Sequence, residues 1–301
     1  MTLDTLVSDA LQAAGLDPAD TGRVVRRALD EDFGYGPDAT SAATAPAGQQ
    51  AVAEVVARQP GVLAGLPVAL AVLDATGLAP GAATPLRADG DRVGPGTAVL
   101  RIHGPLREML GAERTLLNFL THLSGVATAT RAWVDVLAGT GAVLRDTRKT
   151  TPGLRQLEKY AVRCGGGVNH RMGLGDAALV KDNHVAAAGG ITAAIRAVRV
   201  AAPGLPLEVE CDSVAQVEEA LAAGAELILL DNMNLAGLRA AVAAARGYPA
   251  ARLEASGGLR LGQASAVAAT GVHYLSVGAL THSAPALDLG LDLLPAAASG
   301  R

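Results

Sequence analysis

The sequence predicts an α/β protein in two parts, a small α/β domain followed by a parallel sheet of repeated β-α units. Three observations carry this. Six short apolar runs recur from residue 142 onward: AVLRDTRK (142–149), AALVKDNH (177–184), LEVECDS (207–213), LILLDNM (227–233), RLEASGG (252–258) and YLSVGAL (274–280). Their starts lie roughly 20 to 35 residues apart, with Ala-rich helical segments between several of them, which is the rhythm of β-α units. Ahead of them the pattern changes to brief β runs divided by turn signals. Six strands are enough for an incomplete barrel, and no solenoid-type repeat is present.

In chain order, residues 3–15 and 18–31 read as two short helices, the second introduced by Asp17-Pro18. DEDFGYGPDATS (30–41) has the Gly, Pro and acid content of a loop. AVAEVVAR, GVLAG, ATPLRA and TAVLRIHG follow as strands between Gln49 and Gly104, with a helix between Pro67 and Ala75. A long helical stretch runs from about Pro105 to Leu137, with a break or bend expected near Ser124-Gly125. The boundary between the two parts is expected near residue 125, giving domains 1–125 and 126–286, with the tail 287–301 folding back onto the first.

Composition narrows the function. Aromatic residues make up only 2% of the 301, too few for base stacking, and a net charge of -4 argues against a general polyanion binder. No apolar run approaches the roughly 20 residues of a membrane span. The opening MTLDTLVSDALQAAG reads as an amphipathic helix rather than a signal peptide. Cys164 and Cys211 lack metal-ligand spacing, so two free thiols in a cytoplasmic protein are expected.

The chemistry gathers where strands end. Arg148 and Lys149, Lys181, Glu210, Asp231, Ser256-Gly257-Gly258 and Gly278 each follow or close an apolar strand core. In a β/α barrel such positions converge on the C-terminal mouth, where active sites lie. The three lysines, against 22 arginines, all fall within 149–181; a compact ammonium suits Lys149 and Lys181, while Lys159 is equally a surface charge or a charge standing behind the site. With His170, Arg171 and Arg114, the cations imply a ligand of several negative charges. Simple pairing of surface charges explains some of them, but not their place at strand ends. Glu210 and Asp231, on neighbouring strands, suit Mg²⁺, ribose hydroxyls or a developing positive charge, with ordinary salt bridging as the plain alternative. The glycines after the last two strands suit a phosphate bound by backbone N–H groups. His103, His122 and His273 have no matching cluster and read as structural. His184 is placed behind Lys181, and His282 as a phosphate contact or a helix cap.

DTRKTTPGLRQLEKYAVRCGGGVNHRMGLGDAALVKDNH (146–184) resembles the signature region of quinolinate phosphoribosyltransferases. The resemblance extends to ERTLLNFLTHLSGVAT (113–128), LEVECDS, LILLDNM, EASGG and SVGALTHS, and more loosely to EDFGYGPDATS. It implies an N-terminal α/β sandwich domain and an open parallel α/β barrel. The implied reaction moves phosphoribose from phosphoribosyl pyrophosphate to the nitrogen of quinolinate, releasing pyrophosphate and carbon dioxide. It also implies Mg²⁺ and a homodimer or dimer-based hexamer in which Arg114 reaches the neighbour's site. Arg148, His170, Arg171, Lys181 and the partner's Arg114 would then clamp the two carboxylates. Lys149, Ser256, Gly257, Gly258 and Gly278 would hold phosphates, and Lys149, Glu210 and Asp231 would serve catalysis, the two acids through ribose and metal. Three alternatives stand beside it: a transferase of the same architecture acting on nicotinate or another anion, a Schiff-base aldolase with Lys181 as nucleophile, and a non-catalytic sensor.

Overall fold

The computed structural model describes residues 3–79 and 81–295. The chain divides into two compact units, one drawn from residues 1–129, 151–166 and 283–301 and the other from 130–150 and 167–282. The expected division, 1–125 with the tail 287–301 and 126–286, did not include the segment 151–166 in the first unit. Residues 151–166, which contain the helix Arg155–Cys164, are grouped with the first unit although they lie in the middle of the chain.

The first unit opens with helices whose starts are chemically marked. Asp4, Asp17 and Asp38 cap Thr5–Ala13, Pro18–Phe33 and Ala39–Thr44 by accepting backbone N–H bonds from Leu6, Ala19 and Ser41. Strands β1 (Gln50–Ala57), β2 (Gly61–Val62), β3 (Ala83–Pro85), β4 (Arg92–Val93) and β5 (Ala98–Pro105) follow, with the apolar helix Leu66–Ala75 after β2. Asp89 receives the Gly65 and Leu66 N–H groups at the start of that helix. β1 pairs antiparallel with β5 on one side and with the closing strand Leu289–Leu293 on the other, and β3 flanks β5. β2 and β4 make a separate ribbon. The expected tail can be followed only to residue 295; its remainder lies outside the described residues.

The long helix Leu106–Leu137 is continuous, without the break expected at Ser124-Gly125. Both residues have packing reasons. The wholly buried Ser124 donates its hydroxyl to the Ala64 carbonyl and accepts the Ala64 N–H. Gly125 leaves room for backbone, because a Cβ there would stand 2.2 Å from the Pro285 carbonyl oxygen. Of the two readings of Lys159 the surface one fails, since the residue is fully buried.

The second unit carries β6 (Val143–Arg145), β7 (Ala178–Val180), β8 (Leu207–Cys211), β9 (Leu227–Asp231), β10 (Arg252–Ser256) and β11 (Tyr274–Ser276). They correspond to the six apolar runs. All neighbours are parallel, in the order β6-β11-β10-β9-β8-β7, and the sheet is not closed into a barrel. Helices such as Ile191–Ala201, Val214–Ala222 and Leu235–Ala244 alternate with the strands. Covered strands read as unbroken apolar runs, as LILL in β9 does. The architecture is therefore the predicted mixed α/β fold: an antiparallel sheet unit and an open parallel α/β unit.

Exchanging Gly125 for alanine weighs two effects. Helix propensity favours alanine by about 1 kcal/mol, whereas forcing a methyl against the Pro285 carbonyl costs about 1–3 kcal/mol or more. The clash should win, so G125A is expected to lower the urea midpoint without changing the helical content seen by circular dichroism.

Candidate active site

At the C-terminal ends of the second unit's strands lies a cavity of about 330 Å³. Its lining includes Arg148, Lys149, His170, Arg171, Lys181, Glu210, Asp231 and Ser256, eight of the twelve residues expected to form a site. Thr147, Leu179, Leu229, Glu254 and Ser276 complete it. Gly257 and Gly258 follow Ser256 directly, and a Cβ on Gly278 would stand 2.8 Å from Lys149 Cδ. Arg114 is exposed on the long helix, in the first unit, and is not among the lining residues.

The loop bearing two of the cations is tied to β6. Val168 donates its N–H to the Leu144 carbonyl, and Asp146 N–H returns to the Val168 carbonyl. The wholly buried Asp146 carboxylate then accepts from Asn169 Nδ2 at 2.6 Å and from the His170 backbone N–H at 2.8 Å. Arg171 Nη1 donates to the Ala177 carbonyl at 2.8 Å, and Asp176 holds the next turn through the Met172 and Gly173 N–H groups. Burial and the nearby Arg148 charge both lower the Arg171 pKa, the electrostatic mark of cations crowded for an anion.

The acids and glycines come from the middle of the sheet. Glu210 Oε2 receives Lys181 Nζ at 2.6 Å. Asp231 closes β9, and Asn232 after it takes φ 53°, the single positive-φ residue other than glycine among those described. Asn232 donates its N–H to the Ser256 carbonyl and its side-chain amide to Asp231 Oδ2. Gly257, at φ 94°, passes so close that a Cβ would lie 2.3 Å from Asn232 Oδ1. On the β6 side, Thr281 Oγ1 donates to the Lys149 carbonyl at 2.8 Å.

Beneath these groups lies a charged set that the sequence reading overlooked. Glu208 and Glu254 are 3% and 1% exposed, beneath the mouth of the sheet. Glu254 Oε2 accepts from Arg145 Nη1 at 2.8 Å, and Arg145 itself lies over the Tyr274 ring, 3.6 Å from its centre. Glu208 Oε2 is 2.7 Å from His170 Nε2, and Glu254 Oε1 is 3.6 Å from it. The other oxygen of Glu208 and Oε1 of Glu254 have no hydrogen-bond partner in the structure. His170, Glu208 and Glu254 are also a set close enough to hold a metal ion. Burial and then the Glu208 charge push the Glu254 carboxyl above its ordinary value, against the pull of His170 and Arg145. Burial draws the His170 imidazole down, but the Glu208 hydrogen bond and the two carboxylate charges outweigh it and leave the value raised. The Arg171 N–H directed at His170 Nδ1 opposes a second ring proton, so geometry restrains what the charges favour. The missed signal was the strand period of two: Glu208 precedes Glu210, Glu254 precedes Ser256 and Arg145 precedes Thr147, each on the same face of its strand.

The remaining histidines serve structure or frame the site. His122 bonds Glu158 at 2.8 Å within the first unit, and His273 Nδ1 accepts the Leu253 N–H. His184 Nδ1 accepts the Lys181 N–H at 3.0 Å, which fixes the turn carrying that lysine. His282 is exposed, with its Nε2 3.3 Å from where a Gly278 Cβ would stand.

Comparison with known proteins gives consistent matches over most of the chain. The family model for the quinolinate phosphoribosyl transferase C-terminal domain matches residues 126–292, and that for the N-terminal domain matches 38–124. The carboxylating nicotinate-nucleotide pyrophosphorylase of Mycobacterium leprae (strain TN) is 55% identical over 271 residues, 89% of this chain and 95% of that protein. A probable carboxylating nicotinate-nucleotide pyrophosphorylase of Bacillus subtilis (strain 168) is 42% identical over 269 residues, 87% of this chain and 90% of that protein. Among solved structures, the nicotinate-nucleotide pyrophosphorylase from Francisella tularensis superposes with a TM-score of 0.86 at 37% identity, covering 92% of this chain and 96% of that one.

The buried Arg145–Glu254 pair makes a stability prediction. Removing one partner leaves the other charge uncompensated, at a cost of about 3–5 kcal/mol, whereas apolar replacement of both is close to neutral. Arg145→Met should therefore destabilise the fold strongly in urea, and the R145M/E254L double variant should recover most of the loss.

Proposed function

The chain belongs to the quinolinate phosphoribosyl transferase family, and from that premise we propose how its residues divide the family's reaction among them. The enzyme transfers phosphoribose from phosphoribosyl pyrophosphate to quinolinate with decarboxylation, giving nicotinate mononucleotide, pyrophosphate and carbon dioxide in NAD biosynthesis. The observation that carries the residue assignment is the order of chemistry along the sheet. Cations stand at both edges, Arg148 and Lys149 after β6 and Lys181 after β7. Acids end β8 and β9, and the hydroxyl and glycine groups end β10 and β11.

Quinolinate brings two carboxylates, and Arg148, Arg171 and Lys181 suit them, with His170 lining the same clamp. Arg114, exposed on the long helix, is assigned to the neighbouring subunit's site in a homodimer or an assembly of dimers. Ser256, Gly257, Gly258 and Gly278 receive the 5′-phosphate through backbone N–H groups, with Lys149 beside Gly278 reaching phosphate oxygens. Glu210 and Asp231 face the ribose. Their hard carboxylate oxygens also fit Mg²⁺, which takes one or two carboxylates together with substrate phosphates. When bound, Mg²⁺ would neutralise charge on the departing pyrophosphate. Burial raises the two free thiols to about 12, and no helix among the described residues is long and apolar enough to cross a membrane; the enzyme is assigned to the cytoplasm as part of the same proposal.

In the transfer step the ring nitrogen's lone pair bonds to the anomeric carbon while the carbon–oxygen bond to pyrophosphate breaks, its electron pair leaving with pyrophosphate. Positive charge builds on the sugar as that bond opens, and Glu210 and Asp231 are placed to oppose it. The carboxylate beside the alkylated nitrogen then departs as carbon dioxide, leaving its electron pair on a ring carbon next to a cationic nitrogen, where a proton completes the product.

A carboxylate about 4 Å from the developing charge is worth roughly 4 kcal/mol at an effective dielectric near 20, or about a thousandfold in rate. Asp231→Asn should thus lower kcat by up to about that factor while quinolinate still binds. The decisive assay is release of labelled carbon dioxide from quinolinate. Release should require both phosphoribosyl pyrophosphate and Mg²⁺ and match nicotinate mononucleotide formed. A folded enzyme that instead consumes nicotinate would overturn the substrate assignment.

A further inference from the structure

His170 is held by fixed groups on three sides. Its backbone N–H donates to Asp146, its Nε2 is 2.7 Å from Glu208 Oε2, and its Nδ1 lies 2.7 Å from the Arg171 backbone nitrogen. A backbone N–H can only donate, so Nδ1 must present its lone pair. The ring proton therefore sits on Nε2, directed at Glu208 Oε2, which receives it. Glu208 is itself buried on β8 between β7 and β9. A line of contacts thus runs from a central strand through one imidazole ring to the amide of Arg171, whose guanidinium is anchored at its far end by the Ala177 carbonyl.

We propose that Glu208 is a positioning residue for the quinolinate clamp: by keeping the His170 proton on Nε2 it reserves Nδ1 for the Arg171 amide, and so sets where the Arg171 guanidinium meets a substrate carboxylate. The inference rests on quinolinate being the substrate. His170 then acts mainly through Arg171 rather than as a charge aimed at the ligand. The effect is selective, because the groups assigned to the phosphates, Lys149, Ser256, Gly257, Gly258 and Gly278, follow β6, β10 and β11 and lie outside this loop; Glu210, assigned to the ribose, shares β8 with Glu208 but is held by Lys181.

The test uses the full-length enzyme, with steady-state kinetics in both substrates and ¹⁵N spectra of the His170 ring taken on the alkaline side of neutrality. Glu208→Leu should raise the quinolinate KM about tenfold or more, with kcat and the phosphoribosyl pyrophosphate KM changed less than about threefold, since loss of orientation weakens ground-state and transition-state binding alike. Glu208→Gln keeps an acceptor oxygen and should restore most of the affinity. The wild-type ring should show its proton on Nε2, and E208L should mix the tautomers. Should E208L not fold, His170→Asn carries the same test. Its Oδ1 can stand in for Nδ1 toward the Arg171 amide, so H170N should keep a quinolinate KM well below that of H170L. A wild-type proton on Nδ1, an unchanged quinolinate KM in E208L or H170L, or an equal rise in both KM values would overturn the proposal. Failure of the wild type to turn over quinolinate would instead sink the substrate assignment, while the ring spectrum still reads the tautomer.

Discussion

Glu208 and Glu254 bury two carboxylates beneath the mouth of the sheet, and much of the site's construction follows from compensating that burial. An ionised carboxylate without partners in such a place costs several kcal/mol. Glu254 on β10 is met by Arg145 on β6, which crosses above Tyr274 on the intervening β11 to reach it. Glu208 on β8 is met by His170, which is not on a strand at all. For that contact to form, segment 168–170 must lie along β6, and the buried Asp146 holds it there. Arg171 inherits its position from the same fastening. A burial cost paid inside the sheet thus becomes the means of locating a loop at its mouth.

The open sheet suits this arrangement. Its two edge strands, β6 and β7, end in the segments that carry Arg148, Lys149 and Lys181, so cations approach the pocket from both sides while the acids and glycines stand between them. Lys149 crosses close to Gly278, and Asn232 fills the space a Cβ on Gly257 would need. Gly257 is required by this close approach together with its positive φ, which is a stricter demand than turn formation alone.

Most of the parallel unit was legible because a covered parallel strand is an unbroken apolar run, and each run ended in the residue types a barrel mouth concentrates. The continuous long helix was less legible: Gly125 looked like a break, yet its cause is the Pro285 carbonyl, 160 residues away in the chain, which no local pattern reveals. Lys159 was equivocal for a related reason, since nothing in LRQLEKYAVR tells a buried lysine from an exposed one. Glu208, Glu254 and Arg145 were overlooked although their strand period was visible. Charge beneath the mouth becomes intelligible only once the partners across β11 and from the loop are known. The role of Asp146, accepting a backbone N–H 24 residues later, depends on the bridge between β6 and Val168, which no local pattern shows.

The two signs of charge are mounted differently, and the reaction explains why they should be. Glu210 and Asp231 are the penultimate and last residues of β8 and β9, held by strand hydrogen bonds, while Lys149 is exposed beyond its strand. The ligands arrive as a dianion and a polyphosphate, so the cations must attract negative charge and afterwards release it as pyrophosphate and nucleotide. Under the proposed assignment, Lys149 at the phosphates serves that exchange, since a flexible ammonium can follow a departing group where a planar guanidinium in a fixed fork could not. The positive charge on the sugar exists only in passing. Acids that had to swing toward it would spend part of their stabilisation on reorganising, whereas acids fixed at strand ends are already in place when it appears.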